Sequence, residues 1–190
     1  MKMKNSITII SAVIWMVSCQ LPQQAEVADN ENTPLYDYDV EERIASLDIT
    51  LLAPPPPVAN YVNSVKTGNL VFMAGKGPSK PEGGYIQGKV GVDLSIKEGY
   101  QAARLAAIAQ LSALRAEVGD LNKVVRIVKV TGMVNAASEF TEHPEVINGF
   151  SDLMVEVFGE RGKHARAAVG MGSLPRNIAV EVEMVVEVED

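Results

Sequence analysis

One cysteine, two histidines and an aromatic share of 5% are the first shortages in this 190-residue sequence. With Cys19 as the only cysteine, an internal disulfide and a cysteine metal cluster are both excluded. His143 and His164 lack cysteine partners and metal-ligand spacing, and H-E-x-x-H is absent, which argues against a metal hydrolase. No Walker loop and no G-x-S-x-G stretch occurs either, so a P-loop phosphate site and a serine-hydrolase elbow are not expected. Positive charge is also short: 17 Lys and Arg stand against 24 Asp and Glu, a net charge of −7. A chain this acidic lacks the basic stripe that draws phosphate backbones, so nucleic acid is not expected as a partner. Hydrophobic residues make up 47% and charged ones 22%, the balance of a single globular domain with an aliphatic core and some additional sequence.

That additional sequence is at the N-terminus. Lys2 and Lys4 precede an apolar stretch from Ile7 to Val17, which ends at Ser18 and Cys19. The stretch is short of the roughly 20 residues that span a bilayer. It has the layout of a cleaved export signal over 1–18. "MVSC" resembles the lipobox of bacterial lipoproteins, with Met16 where leucine is usual, and it makes Cys19 the expected site of lipidation. The expectation is an exported protein anchored through its N-terminal lipid and facing the periplasm; a plain secretory signal giving a soluble product is the alternative. Loss of Lys2 and Lys4 would take the charge from −7 to −9. Residues 19–38 are polar and acidic, without apolar periodicity, and read as a disordered tether.

The domain is expected over 39–190. Asp39 caps a short helix with Val40, Ile44 and Leu47 on one face, and "APPPP" at 53–57 ends it. Two strand-like runs meet at Thr67-Gly68-Asn69, a hairpin composition. Ser95 and Glu98 form a capping-box pattern at the start of a long alanine-rich helix that stops at Gly119. The β-branched run 122–135 reads as a strand, and a second helix runs from Pro144 to Gly159. The last two strands are "HARAAVGMG", read as a core strand, and "IAVEVEMVVEVE", which alternates valine with glutamate. The fold class is therefore α+β, β-β-α-β-α-β-β with the helices on one sheet face and an extra N-terminal helix.

Arg166 stands out in that plan. On a strand it shares a face with His164, Ala168 and Gly170, which leave room above the guanidinium. A planar donor fork beside a void suits a carboxylate, because two parallel charge-assisted bonds both hold and orient it. Taken from the residues alone, a structural ion pair between Arg166 and Glu181 or Glu183 is equally admissible.

The stretches "YVNSV", "NLVFMAGKGP", "VINGFSDLMVEVFG", "HARAAVGMGSLP" and "VEVEMVVEV" resemble, in order and spacing, the RidA/YjgF family of imine deaminases, formerly labelled endoribonuclease L-PSP. The resemblance covers 40–190. It implies a chorismate mutase-like fold assembled as a homotrimer, with sites in the clefts between subunits. It implies hydrolysis of imine or enamine acids to 2-keto acids and ammonia, without a cofactor. On this resemblance Arg166 binds the substrate carboxylate and Glu181 is the catalytic residue that activates water. Tyr61 lines the pocket, Asn148 matches the substrate-binding asparagine that opens the second helix, and the backbones of Gly75 and Ala168 contact substrate. Departures from the family pattern fall in the same stretches. "SGQ" has become Ala74-Gly75-Lys76 and "ARSC" has become Ala165-Arg166-Ala167-Ala168, with loss of hydroxyls and a thiol. A non-catalytic module that binds small carboxylates is the alternative function, and an endoribonuclease is a distant third.

Overall fold

The structure is a computed structural model that describes residues 34–189. The expected signal over 1–18, Cys19 and the tether as far as Thr33 lie outside the described residues.

Five strands form one sheet in the order β1-β2-β5-β3-β4. β1 (Ser64–Thr67) and β2 (Leu70–Lys76) are an antiparallel hairpin turning at Gly68 and Asn69, with Gly68 at φ +55°. β5 (Val180–Val188) lies antiparallel between β2 and β3 (Val124–Asn135). β3 and β4 (Ala165–Met171) run parallel, which requires a crossover, and α3 (His143–Phe158) supplies it. α2 (Ile96–Val118) lies beside α3, and α1 (Val40–Ser46) is the additional N-terminal helix. The observed architecture is the α+β arrangement that the sequence pattern predicts.

Local chemistry sets the element ends. The Asp39 carboxylate accepts the Glu42 amide at the start of α1, and Ser95 and Glu98 close a reciprocal capping box at the start of α2. Pro144 lies in the first turn of α3. The apolar alternation of β5 puts Val180, Val182, Met184, Val186 and Val188 against the helices, all buried. Ala102, Ala103, Ala106 and Ala107 on α2 are fully buried, and their small side chains let that helix lie close to its neighbours. The α2–α3 contact is closer still: a Cβ on Gly149 would strike the backbone carbonyl of Tyr100.

Two expectations need correction. β4 is an edge strand, not a core strand; α3 covers only one of its faces, and among the described residues no strand lies beyond it. The tether also ends earlier than residue 38. The Tyr36 hydroxyl donates to the Val124 carbonyl, the Tyr38 hydroxyl donates to the Val157 carbonyl at 3.0 Å, and the Arg161 guanidinium sits 5.5 Å from the centre of the Tyr36 ring. Two amphipathic rings with satisfied hydroxyls outweigh the polarity of their sequence neighbours.

Candidate functional site

The sheet has one face under helices and one open face, and strand parity assigns each side chain. Arg166 pairs with Val130, which pairs with Met184, and both partners are buried beneath the helices. Arg166 therefore lies on the helix-bearing face, at the rim formed by edge strand β4. Its Nη1 donates to Asn148 Oδ1 at 2.9 Å and to Ser151 Oγ at 3.0 Å. The two acceptors are three residues apart on α3, one above the other on the same helix face. Among the described residues Nε and Nη2 have no hydrogen-bond partner, and no carboxylate pairs with Arg166. Ala168 follows on the same face and packs against the core, with its backbone in the β3–β4 ladder. His164 completes this corner: Nε2 lies 3.0 Å from Ser151 Oγ, and Nδ1 lies 2.7 Å from the Gly162 carbonyl oxygen. Burial, with a smaller push from the nearby Arg166 charge, holds His164 below its ordinary pKa against the opposing effect of the Gly162 bond.

Glu181 belongs to the open face. Gly132 faces α3, where a Cβ would strike Ile147, and Gly132 pairs with Val182; the adjacent pair Met133 and Glu181 therefore points the other way. Opposite them β2 bulges. Met73 pairs with Met184 and Lys76 with Val182, so Ala74 and Gly75 together oppose Glu183. Gln110, fully buried on α2, fastens the bulge by donating to the Ala74 carbonyl at 2.9 Å and the Val182 carbonyl at 2.6 Å. The Glu181 carboxyl rests on this bulge. A Cβ on Gly75 would run into Glu181 Oε1, so the glycine makes the space the carboxyl occupies. Burial, and then the charge of Glu183, raise the Glu181 pKa above its ordinary value.

Tyr61, half exposed, lines a concave patch of about 450 Å³ on the same open face, together with Val65, Phe72, Ala74, Thr131 and Glu183. Lys76 donates to Asn63 Oδ1, and burial lowers its pKa. The structure thus sorts the six residues singled out from the sequence into two groups. Arg166, Asn148 and Ala168 sit together under the helices; Glu181, Gly75 and Tyr61 belong to the open face. The sheet separates the groups, so the ion pair between Arg166 and Glu181 or Glu183 does not form within the chain. Ser151 and the ring contacts of His164 escaped the sequence reading. Their signal was the three-residue spacing of Asn148 and Ser151 on one helix and the two-residue spacing of His164 and Arg166 on one strand.

Comparison with known proteins places this geometry. Residues 41–188 match the YjgF/chorismate mutase-like family model, whose description also carries an endoribonuclease label. Protein TCP17 of Trypanosoma cruzi is 41% identical over 152 residues, which are 80% of this chain and 95% of that protein. The crystal structure of a protein of unknown function from Agrobacterium tumefaciens superposes with a TM-score of 0.73 at 40% identity, covering 79% of this chain and 94% of that one. A 2-iminobutanoate/2-iminopropanoate deaminase of Escherichia coli is 26% identical over 136 residues, 69% of this chain and 89% of that enzyme. A five-stranded sheet with two long helices on one face, matched over nearly the whole described chain, makes this protein a member of the YjgF/RidA family.

Proposed function

We propose that this protein hydrolyses imine or enamine acids to 2-keto acids and ammonia, at sites assembled between subunits of a homotrimer. The observation that carries the reading is the division of the site by the sheet. Arg166 offers an unpaired guanidinium edge at the rim of one face, and Glu181 sits with a raised pKa on the other. One small molecule reaches both only if a neighbouring chain presents its open face to the β4 rim. That open face is apolar enough to call for a cover: Val65 is 55% exposed and Phe72 47%, beside Val185 and Val169. A head-to-tail contact between an edge and a face is heterologous, and such a contact closes into a three-membered ring where each step turns by a third of a revolution.

In this site the Arg166 edge takes the substrate carboxylate and fixes the imine carbon against the partner's Glu181. The carboxylate of Glu181 accepts a proton from water as the water oxygen bonds to the imine carbon. With the imine nitrogen already protonated, the same proton, returned to it from the carbinolamine stage, makes an ammonium leaving group. As the C–N bond breaks, the hydroxyl proton passes to Glu181, the carbonyl forms and ammonia leaves. A raised pKa suits a group that must both take and return a proton near neutrality. Imines hydrolyse unaided, so orientation and one positioned base suffice without a nucleophile or cofactor.

Ala74, Lys76, Ala167 and Ala168 favour a second reading, in which the same pocket binds a small carboxylate without turnover, because the hydroxyl and thiol groups of the family pattern are missing there. An assay separates the two. Imines are generated in situ by an amino-acid oxidase, and ammonia and keto acid are followed with wild type and Arg166→Ala. Acceleration over buffer that disappears in the variant supports the enzyme. Ligand-dependent thermal stabilisation without any acceleration supports the binding module. Export with lipidation at Cys19 belongs to the same proposal; unchanged membrane association of a Cys19→Ala variant in cell fractionation would reject it.

A further inference from the structure

The Arg166 corner contains more than the carboxylate receptor requires. We infer that Ser151 and His164 are positioning residues that lock the Arg166 fork in one orientation, acting in series from the Gly162 carbonyl to the guanidinium. This rests on the reading of Arg166 as the carboxylate site and adds two residues to it.

The Gly162 carbonyl can only accept, so the His164 Nδ1 at 2.7 Å carries the ring proton. In the neutral ring Nε2 is then an acceptor, and the hydroxyl 3.0 Å away must direct its proton there. The Ser151 oxygen is left with its lone pairs free, and one accepts Nη1–H from Arg166 at 3.0 Å. Asn148 takes a hydrogen bond from the same nitrogen at 2.9 Å. Nη1 is thereby held by two acceptors on the rigid α3, while Nη2 and Nε are left for a planar anion. Without His164 as acceptor, the Ser151 hydroxyl proton loses its fixed partner, the hydroxyl is free to rotate, and its lone pair is no longer held on the line of the Arg166 Nη1–H. The half-buried state of the imidazole, which favours its neutral form, agrees with this direction of donation. Orientation of the fork matters because a bidentate carboxylate contact depends on angle as well as distance.

The test uses the full chain, with pyruvate and 2-oxobutanoate as carboxylate probes. Ser151→Ala and His164→Phe should each weaken binding about tenfold, the effect of losing one hydrogen bond to a charged group. His164→Gln, whose amide oxygen can accept from Ser151, should restore most of the affinity. Because the residues act in series, the Ser151→Ala/His164→Phe double variant should bind no worse than Ser151→Ala alone. Nitrogen-15 spectra of the imidazole should show the Nδ1–H tautomer in the wild type. Melting temperatures identify a variant that is merely unfolded, and the Gln substitution then carries the comparison. Wild-type affinity in both single variants, additive losses in the double variant, or an Nε2–H tautomer overturns the positioning role while leaving the Arg166 reading intact. Absence of any carboxylate binding by wild type overturns the Arg166 reading itself, and the positioning role with it.

Discussion

A site divided by the sheet can be tested by mixing two inactive proteins. Arg166→Ala removes the carboxylate fork. Two charge-assisted hydrogen bonds are lost, together about 3 kcal/mol or more of transition-state binding, so activity should fall at least about a hundredfold. Glu181→Gln keeps the shape over the Gly75 bulge and removes the base. In a homotrimer whose sites pair the helix-side rim of one chain with the open face of the next, any ring containing both variants has one junction where an intact Arg166 meets an intact Glu181. That holds for either stoichiometry, two to one or one to two. Random mixing makes about three-quarters of the rings mixed, and one site in three of those is complete, so about a quarter of wild-type activity should return in the mixture and about a third in purified mixed rings. The variants are co-refolded or co-expressed with different tags, mixed rings are isolated by tandem affinity, and imine hydrolysis is followed by ammonia release. Mixed rings no more active than the separate variants, with trimers verified by light scattering, would refute the idea that neighbouring chains complete each other's sites.

Further expectations follow from single contacts. Gly75→Ala puts a methyl where Glu181 Oε1 lies; the flexible end of that side chain can swing away, so the melting temperature should stay within a few degrees while deamination falls at least about tenfold. Gly149→Ala directs its methyl at the Tyr100 carbonyl, where only backbone can yield, and should cost about 3 kcal/mol in a denaturant titration or prevent folding. For Glu181 the sign is set by its raised pKa: the folded chain keeps this proton longer than the unfolded one, so stability drops as pH rises from the ordinary value of 4.5 toward the folded value. Glu181→Gln should therefore melt at the wild-type temperature in acid and above it near neutrality; equal melting temperatures at every pH would show that the carboxyl carries no burial penalty.

Element boundaries were legible because their signals are local. Ser95 and Glu98, Asp39, Gly68 and the alternation of 180–188 each act within a few residues, and each is found where its pattern placed it. The position of a strand within the sheet depends instead on what packs beside it. "HARAAVGMG" has the small, apolar composition of a core strand, yet it forms an edge, because small residues there serve close approach of α3 on one side and leave the other bare. Tyr36 and Tyr38 misled in the opposite direction: their acidic surroundings predict a tether, and hydrogen bonds to residues 88 and 119 positions away in the chain tie them down.

The candidate site was legible in its residue types and not in its arrangement. Parity along one strand puts Arg166 with His164, Ala168 and Gly170, and parity along another puts Glu181 with Glu183, but neither says which face of the shared sheet each set occupies. That is decided by the register of β3 between them: Val130 is paired with both Arg166 and Met184, while Met133 is paired with Glu181. An odd separation along β3 between those two positions is enough to put the guanidinium and the carboxyl on opposite sides. Had the register differed by one residue, Arg166 and Glu181 would share a face and could form the structural ion pair that the sequence alone allows. As it stands, Arg166 keeps Nε and Nη2 without a partner among the described residues at the rim, and Glu181 rests its carboxyl over Gly75 on the uncovered face, so each has room for the partner that the other could supply across a subunit boundary.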